Sequence, residues 1–156
     1  MGATSVFATR AVLHELIAPA LAGVGVELLD NVPTDAEDLS LGSACWWGNE
    51  VDVDAVDHTM PAGVRENYLH TLVVRVLPDD ADVTVGDAQS AATELLDLVF
   101  DVIAANRRLT LPASSGWTDA RVSWGGFAHV STRLERPAGF AAGFEIRLVV
   151  EATRCS

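Results

Sequence analysis

The residues from which chemistry could be built are four histidines and a crowd of carboxylates. Glu50, Asp52, Asp54, Asp57 and His58 fall in one short stretch. Clustered oxygens suit a hard divalent cation. The stretch lacks the spacing, the central glycine and the terminal glutamate of an EF-hand, and a solvated acidic loop accounts for it. A hydrolase needs a nucleophile beside a base and an orienting acid. No serine sits in a G-x-S-x-G elbow. His14 falls on a helix pattern, His70 and His129 in strand patterns and His58 in the acidic stretch, all of which suit packing or surface roles. Paired carboxylates for glycoside chemistry are a spatial matter, and with 22 acidic residues chance proximity explains any such pair. Gly125-Gly126 lacks the context of a phosphate loop, and the chain has no lysine to complete one. No catalytic, cofactor-binding or metal-binding residue is therefore assigned, and the chain reads as a non-enzyme.

The elements that would position these residues are legible from periodicity. Thr4 or Ser5 can cap a first helix, in which Val12, Leu13, Leu16, Ile17, Ala20 and Leu21 recur at helical spacing. Pro19 is expected to kink that helix or end it near Ala18. Val26–Leu29 reads as a short strand, Asp30–Asp35 as a turn and Leu39–Trp47 as a second strand. The stretch 48–63 is the least regular and reads as an acidic loop or hairpin, with alternation in Glu50–Asp54 that would suit a strand. Val64–Leu77 reads as one long strand, apolar on both faces near its end and so central in a sheet. Ala88–Arg108 reads as an amphipathic helix, with Ala88, Ala91, Leu95, Leu98, Val99, Val102 and Ile103 as its buried stripe. Asp119–Val130 is a strand interrupted at Gly125-Gly126 by a bulge or bend. Phe144–Ala152 is a cleanly alternating final strand. The predicted fold is α+β: a mostly antiparallel sheet of four to five strands with two main helices packed on it, in a single domain over residues 1–156.

Composition narrows the partners. The formal charge is −12, and all ten basic residues are arginine. Such a chain is a poor fit for gripping nucleic acid or an anionic membrane. No apolar run approaches the ~20 residues that span a bilayer, and no leader pattern is apparent. Cys45 and Cys155 form no metal-type or disulfide framework, which fits a reduced cytosolic setting. Trp46 and Trp47, being adjacent in a strand, point to opposite faces. One is expected in the core and the other towards solvent or a partner. Arg121, Arg133, Arg136 and Arg147 lie in the C-terminal third, while the acids concentrate before Asp101. That asymmetry suits head-to-tail contact between copies. Trp46, Trp47, Arg121 and Arg147 are the interface candidates.

The layout resembles the tail terminator (tail completion) proteins of long-tailed bacteriophages, notably those of actinobacterial phages. Ala8–Leu16 looks like their opening helix. Val26–Asp38, with Asn31-Val-Pro-Thr-Asp35, looks like the following strand and proline turn. Arg65-Glu66 leading into Leu72–Val76 looks like their long third strand. The helix Ala88–Arg108 and two strands ending in Phe144–Glu151 complete the order. The resemblance implies a structural protein of the virion tail or neck, assembled in the host cytoplasm, with no cofactor. Copies would form a ring, typically a hexamer, at the head-proximal end of the tail tube. The ring would stop tube polymerisation and meet the head-completion proteins. Genomic DNA would pass through the lumen without specific binding, repelled by any acids that line it. The alternatives are another neck component, such as a head-tail adaptor, and a small cytosolic enzyme or ligand-binding domain.

Overall fold

The computed structural model describes residues 4–30, 43–48, 50–59, 62–76, 85–135 and 138–155. Helix α1 spans Val6–Ala22 and is followed by strands β1 (Leu28–Leu29), β2 (Ser43–Trp47), β3 (Val53–Thr59) and β4 (Ala62–Val76). Helix α2 spans Val85–Ala105. Strands β5 (Arg108–Leu109), β6 (Asp119–Glu135) and β7 (Ala138–Cys155) complete the chain, with a 3-10 turn at Ala113–Ser115 between β5 and β6.

Among the described residues the sheet has seven strands, more than the four to five expected. Its path is β1-β2-β4-β7-β6-β5, with β3 also on β4. It is mixed, because β1 runs parallel to β2 while the other pairs are antiparallel. β4 is central, as its apolar faces predicted. It pairs with β7 along one side, and on the other with β3 at Ala62–Tyr68 and β2 at Leu72–Val76. The 48–63 stretch, expected as a loop or hairpin, contains β3, the outer arm of a β3–β4 hairpin. β5 also escaped notice, since two residues carry no period. The predicted turn after Asp30 and the start of the strand at Leu39 lie outside the described residues.

Both helices cover one face. On β4 the inward positions are Glu66, Tyr68, His70, Leu72, Val74 and Val76, all buried. They continue across β7 as Phe144, Ile146, Leu148, Val150 and Ala152, and across β6 as Ala120 and Val122. α1 brings Val6, Thr9, Leu13, Ile17 and Leu21 to this layer at three- and four-residue spacing. Pro19 does not end α1, which runs through to Ala22. The ring lies on the exposed side, and its missing N–H frees one carbonyl, that of Glu15, on the same exposed side. α2 buries Ala88, Ala92, Leu95, Leu96, Val99 and Ile103. The buried track is therefore rotated slightly from the predicted one, leaving Ala91, Leu98 and Val102 half-buried.

Gly125-Gly126 forms the predicted irregularity. The β6–β7 register slips between Trp124 and Phe127. Gly126 has φ 93°, in the left-handed region. A Cβ on Gly125 would lie 2.9 Å from the Arg147 carbonyl oxygen. The slip returns Phe127 to the helix-covered side, opposite buried Ile146.

Candidate functional site

One constellation in the molecule has the look of chemistry. Glu66 Oε1 accepts from the Ser5 backbone N–H at 2.6 Å and from the Ser5 hydroxyl at 2.8 Å. Ser5 Oγ is 2.8 Å from Tyr68 Oη, which is 2.6 Å from Thr9 Oγ1. Thr9 Oγ1 lies 3.0 Å from His70 Nε2. Proton counting gives the chain one direction. Ser5 spends its proton on Glu66, so Tyr68 donates to Ser5, Thr9 to Tyr68, and the His70 Nε2–H to Thr9. Nδ1 of His70 then holds a bare lone pair, and it has no partner. Donors aligned towards a carboxylate reinforce one another. The Thr9 proton has a second acceptor in the Val6 carbonyl at 3.1 Å.

A threonine hydroxyl 3.0 Å from an imidazole is the geometry of a nucleophile and its base, yet three facts remove catalysis. Thr9 and His70 are fully buried. No acid orients Nδ1. Burial, and then the charge of Arg10, push the His70 pKa down to about 3, too weak a base at neutral pH. The chain instead ties the first turn of α1 to β4. Ser5 occupies the N-cap position without capping through its own hydroxyl. Thr4 Oγ1 accepts from the Val6 N–H at 3.3 Å, and the Glu66 carboxylate supplies negative charge where the helix dipole favours it. Tyr68→Phe deletes the middle link and is expected to cost about 1–2 kcal/mol in a urea unfolding titration. No loss would show that Ser5 and Thr9 are satisfied without it.

Of the acidic stretch, the side chains of Asp57 and His58 lie outside the described residues. Asp54 stands opposite Asn67 on the sheet's open face, whereas Val53 and Ala55 face the helix side. Among the described residues no three His, Cys, Asp or Glu are grouped to hold a metal. His14 accepts the Trp47 Nε1–H on its Nδ1 at 3.1 Å. Its approach to Asp30 through the same atom, at 3.6 Å, competes with that bond, since one nitrogen cannot both accept and carry the proton. Burial pushes the Cys45 thiol up to about 12, leaving it unreactive at neutral pH.

The interface candidates separate into two kinds. Trp47 is fully buried beneath α1. Trp46 faces the other side, as alternation requires, yet it is only 7% exposed. The expectation that one of the two faces solvent or a partner is therefore corrected: both are enclosed by this chain. Arg121 and Arg147 are exposed on the open face of the sheet, which they share with Arg65 and Arg75. Arg121 lies 3.5 Å from Asp119, which also meets Arg108 at 3.3 Å. The side chains of Arg133 and Arg136 lie outside the described residues. The same open face of the sheet carries exposed Glu145 and Glu151, the latter 3.8 Å from Arg65, so it is mixed in charge. α2 is purely acidic: Asp87, Glu94, Asp97 and Asp101 are exposed, and the helix contains no arginine.

No protein-family model matches the chain, and no curated protein does. The fold has a match. A chain from the virion of the native gene transfer agent (GTA) particle superposes with a TM-score of 0.57 at 16% identity. The alignment covers 97% of this chain and 99% of that one. The likeness is one of fold, and it runs from end to end. Sequence reasoning had singled out the tryptophans, but among the described residues the exposed aromatics are Phe7, Phe100 and Phe127. Phe100 was findable, since it falls outside the buried track of α2. Phe127 was not, because its face depends on the bulge. Among the described residues no helix is long and apolar enough to cross a membrane.

Proposed function

We propose that this chain is a non-enzymatic structural subunit of a phage-type virion, and that its copies close into a ring that terminates the tail tube. The observation that carries the proposal is the end-to-end fold likeness to a chain of the GTA virion. The acidic helix supports it. α2 presents only acids, and exposed Arg121 and Arg147 on the open sheet face, beside Glu145 and Glu151, can meet a neighbour's α2 in a head-to-tail contact. Such contacts close into rings when the rotation allows. The −12 charge of each copy discourages adhesion to DNA in the bore. One ring face would meet the tube end and the other the head-completion proteins. The ring acts by denying a further tube subunit its docking edge. The test is electron microscopy of purified protein with and without tail tubes. Closed rings seated on tube tips, and tubes arrested at fixed length, are the expected result. Protein that ignores tube ends and leaves their growth unchanged overturns the proposal.

A further inference from the structure

Among the described strands, both borders of the sheet are unpaired. On one side β3 pairs with β4, and no described strand lies beyond it. On the other, β5 covers β6 only at Ala120 and Arg121, with one more bond from the Val122 N–H to the Arg107 carbonyl at 2.8 Å. From Ser123 to Glu135 no described strand pairs with the free side of β6. Long open edges are templates for further pairing. Each has exposed apolar side chains beside it. Phe7 is 76% and Val53 36% exposed near β3, over a groove of about 490 Å³ that Arg10 and Glu66 help to line. Phe127 is 47% and Phe100 45% exposed near β6, and Trp124 packs between them, its ring 5.1 Å from Phe100 and 6.5 Å from Phe127. Val53 and Phe127 face the same side of the sheet, opposite buried Tyr68 and Ile146 respectively.

We infer that the β3 edge of one copy pairs with the β6 edge of the next, Val53–Thr59 lying along Phe127–Glu135, so that successive copies share one continuous sheet. The pairing rests on the ring proposed above and specifies its joint. Direction selects a second copy as the occupant. The pairs β3–β4, β4–β7 and β7–β6 are each antiparallel, so β6 runs opposite to β3 and a head-to-tail repeat continues the alternation. Geometry agrees. Val53 lies level with Tyr68, Val150 and Val122, so β3 sits alongside the part of β6 that β5 already covers. A neighbour's β3 must slide towards the β6–β7 hairpin to reach the free run, with Val53 and Phe127 kept on the same side of the joined sheet. A stagger between repeating units is what closing a sheet into a barrel requires.

Val53→Lys and Phe127→Lys each place a charge on one edge and leave the other intact. Light scattering coupled to size exclusion reads the outcome. Wild type is expected at ring mass, and each variant alone as monomer, with assembly weakened at least tenfold. A mixture of the two is expected to stop at heterodimers, since it has one good joint. Rings formed by either variant alone overturn the edge pairing while leaving the ring intact. Wild type that stays monomeric at every concentration overturns the ring itself. Should circular dichroism show that a variant has unfolded, hydrogen exchange of wild type decides. Amides in Val53–Thr59 and Phe127–Glu135 must gain protection between dilute monomer and ring, and unchanged exchange there sinks the pairing.

Discussion

Trp47→Ala is expected to lower the unfolding free energy by about 3–5 kcal/mol, the range for emptying a large aromatic from a core. Its indole is fully buried and joins three elements at once. It stands on β2 opposite Leu72 of β4. Its N–H donates to His14 of α1 at 3.1 Å. Its ring meets the His70 ring edge-on at 5.9 Å and carries the Arg10 guanidinium 5.8 Å above its centroid. Truncation opens a cavity and strands the His14 acceptor together. Trp47→Phe keeps most of the volume and removes the N–H, so about 1–2 kcal/mol is expected from it. Urea titrations of the three proteins check the pair. A loss below about 1 kcal/mol for the alanine variant would mean that α1 and β2 do not depend on this contact.

The second large effect is acid sensitivity through His70. Burial, first, and then the Arg10 charge hold its pKa near 3 in the folded chain. In the unfolded chain it returns to about 6.5. Between those values the unfolded state binds the extra proton, so stability rises with pH. The contribution is fully present above about 6.5 and is lost as pH falls towards about 3, at up to about 1.4 kcal/mol per unit. Other groups titrate in this window, so the measurement is a difference. Unfolding free energies of wild type and His70→Leu are compared from pH 7 to pH 4. The variant is expected to be less stable at pH 7, because Thr9 loses a partner, but to have the shallower slope. Equal slopes would show that His70 takes up its proton as readily in the fold as out of it.

The link from Glu66 to His70 was partly written in the chain. Glu66, Tyr68 and His70 stand at alternate positions of a strand that periodicity identified, and they had to share a face. Their partners Ser5 and Thr9 come from roughly sixty residues away, and strand alternation says nothing about which helix will lie over it. The same limit explains Trp46. Alternation placed it on the face away from Trp47, but whether that face is covered depends on distant chain. β3 was legible only in part, as a hairpin reading with strand-like alternation at Glu50–Asp54, for a related reason. An isolated acidic stretch shows little reason to be a strand until β4 offers a partner, and its apolar residues, Val53 and Val56, remain partly exposed even then.

What the residues determined by themselves were the local periods and the charge. The long strand that became β4, the amphipathic α2, the alternating β7, the glycine irregularity in β6 and the separation of acids from arginines all follow from short-range pattern. Only the tertiary structure decided that the described sheet has seven strands and is mixed, that Trp46 and Trp47 are both enclosed, that a histidine is buried beneath α1, and that β3 and β6 stand as borders among the described strands. Those features depend on which strand meets which and on how far one slides along another. Pairing and register are set by contacts between residues far apart in the chain, where side-chain spacing along a single strand carries no information.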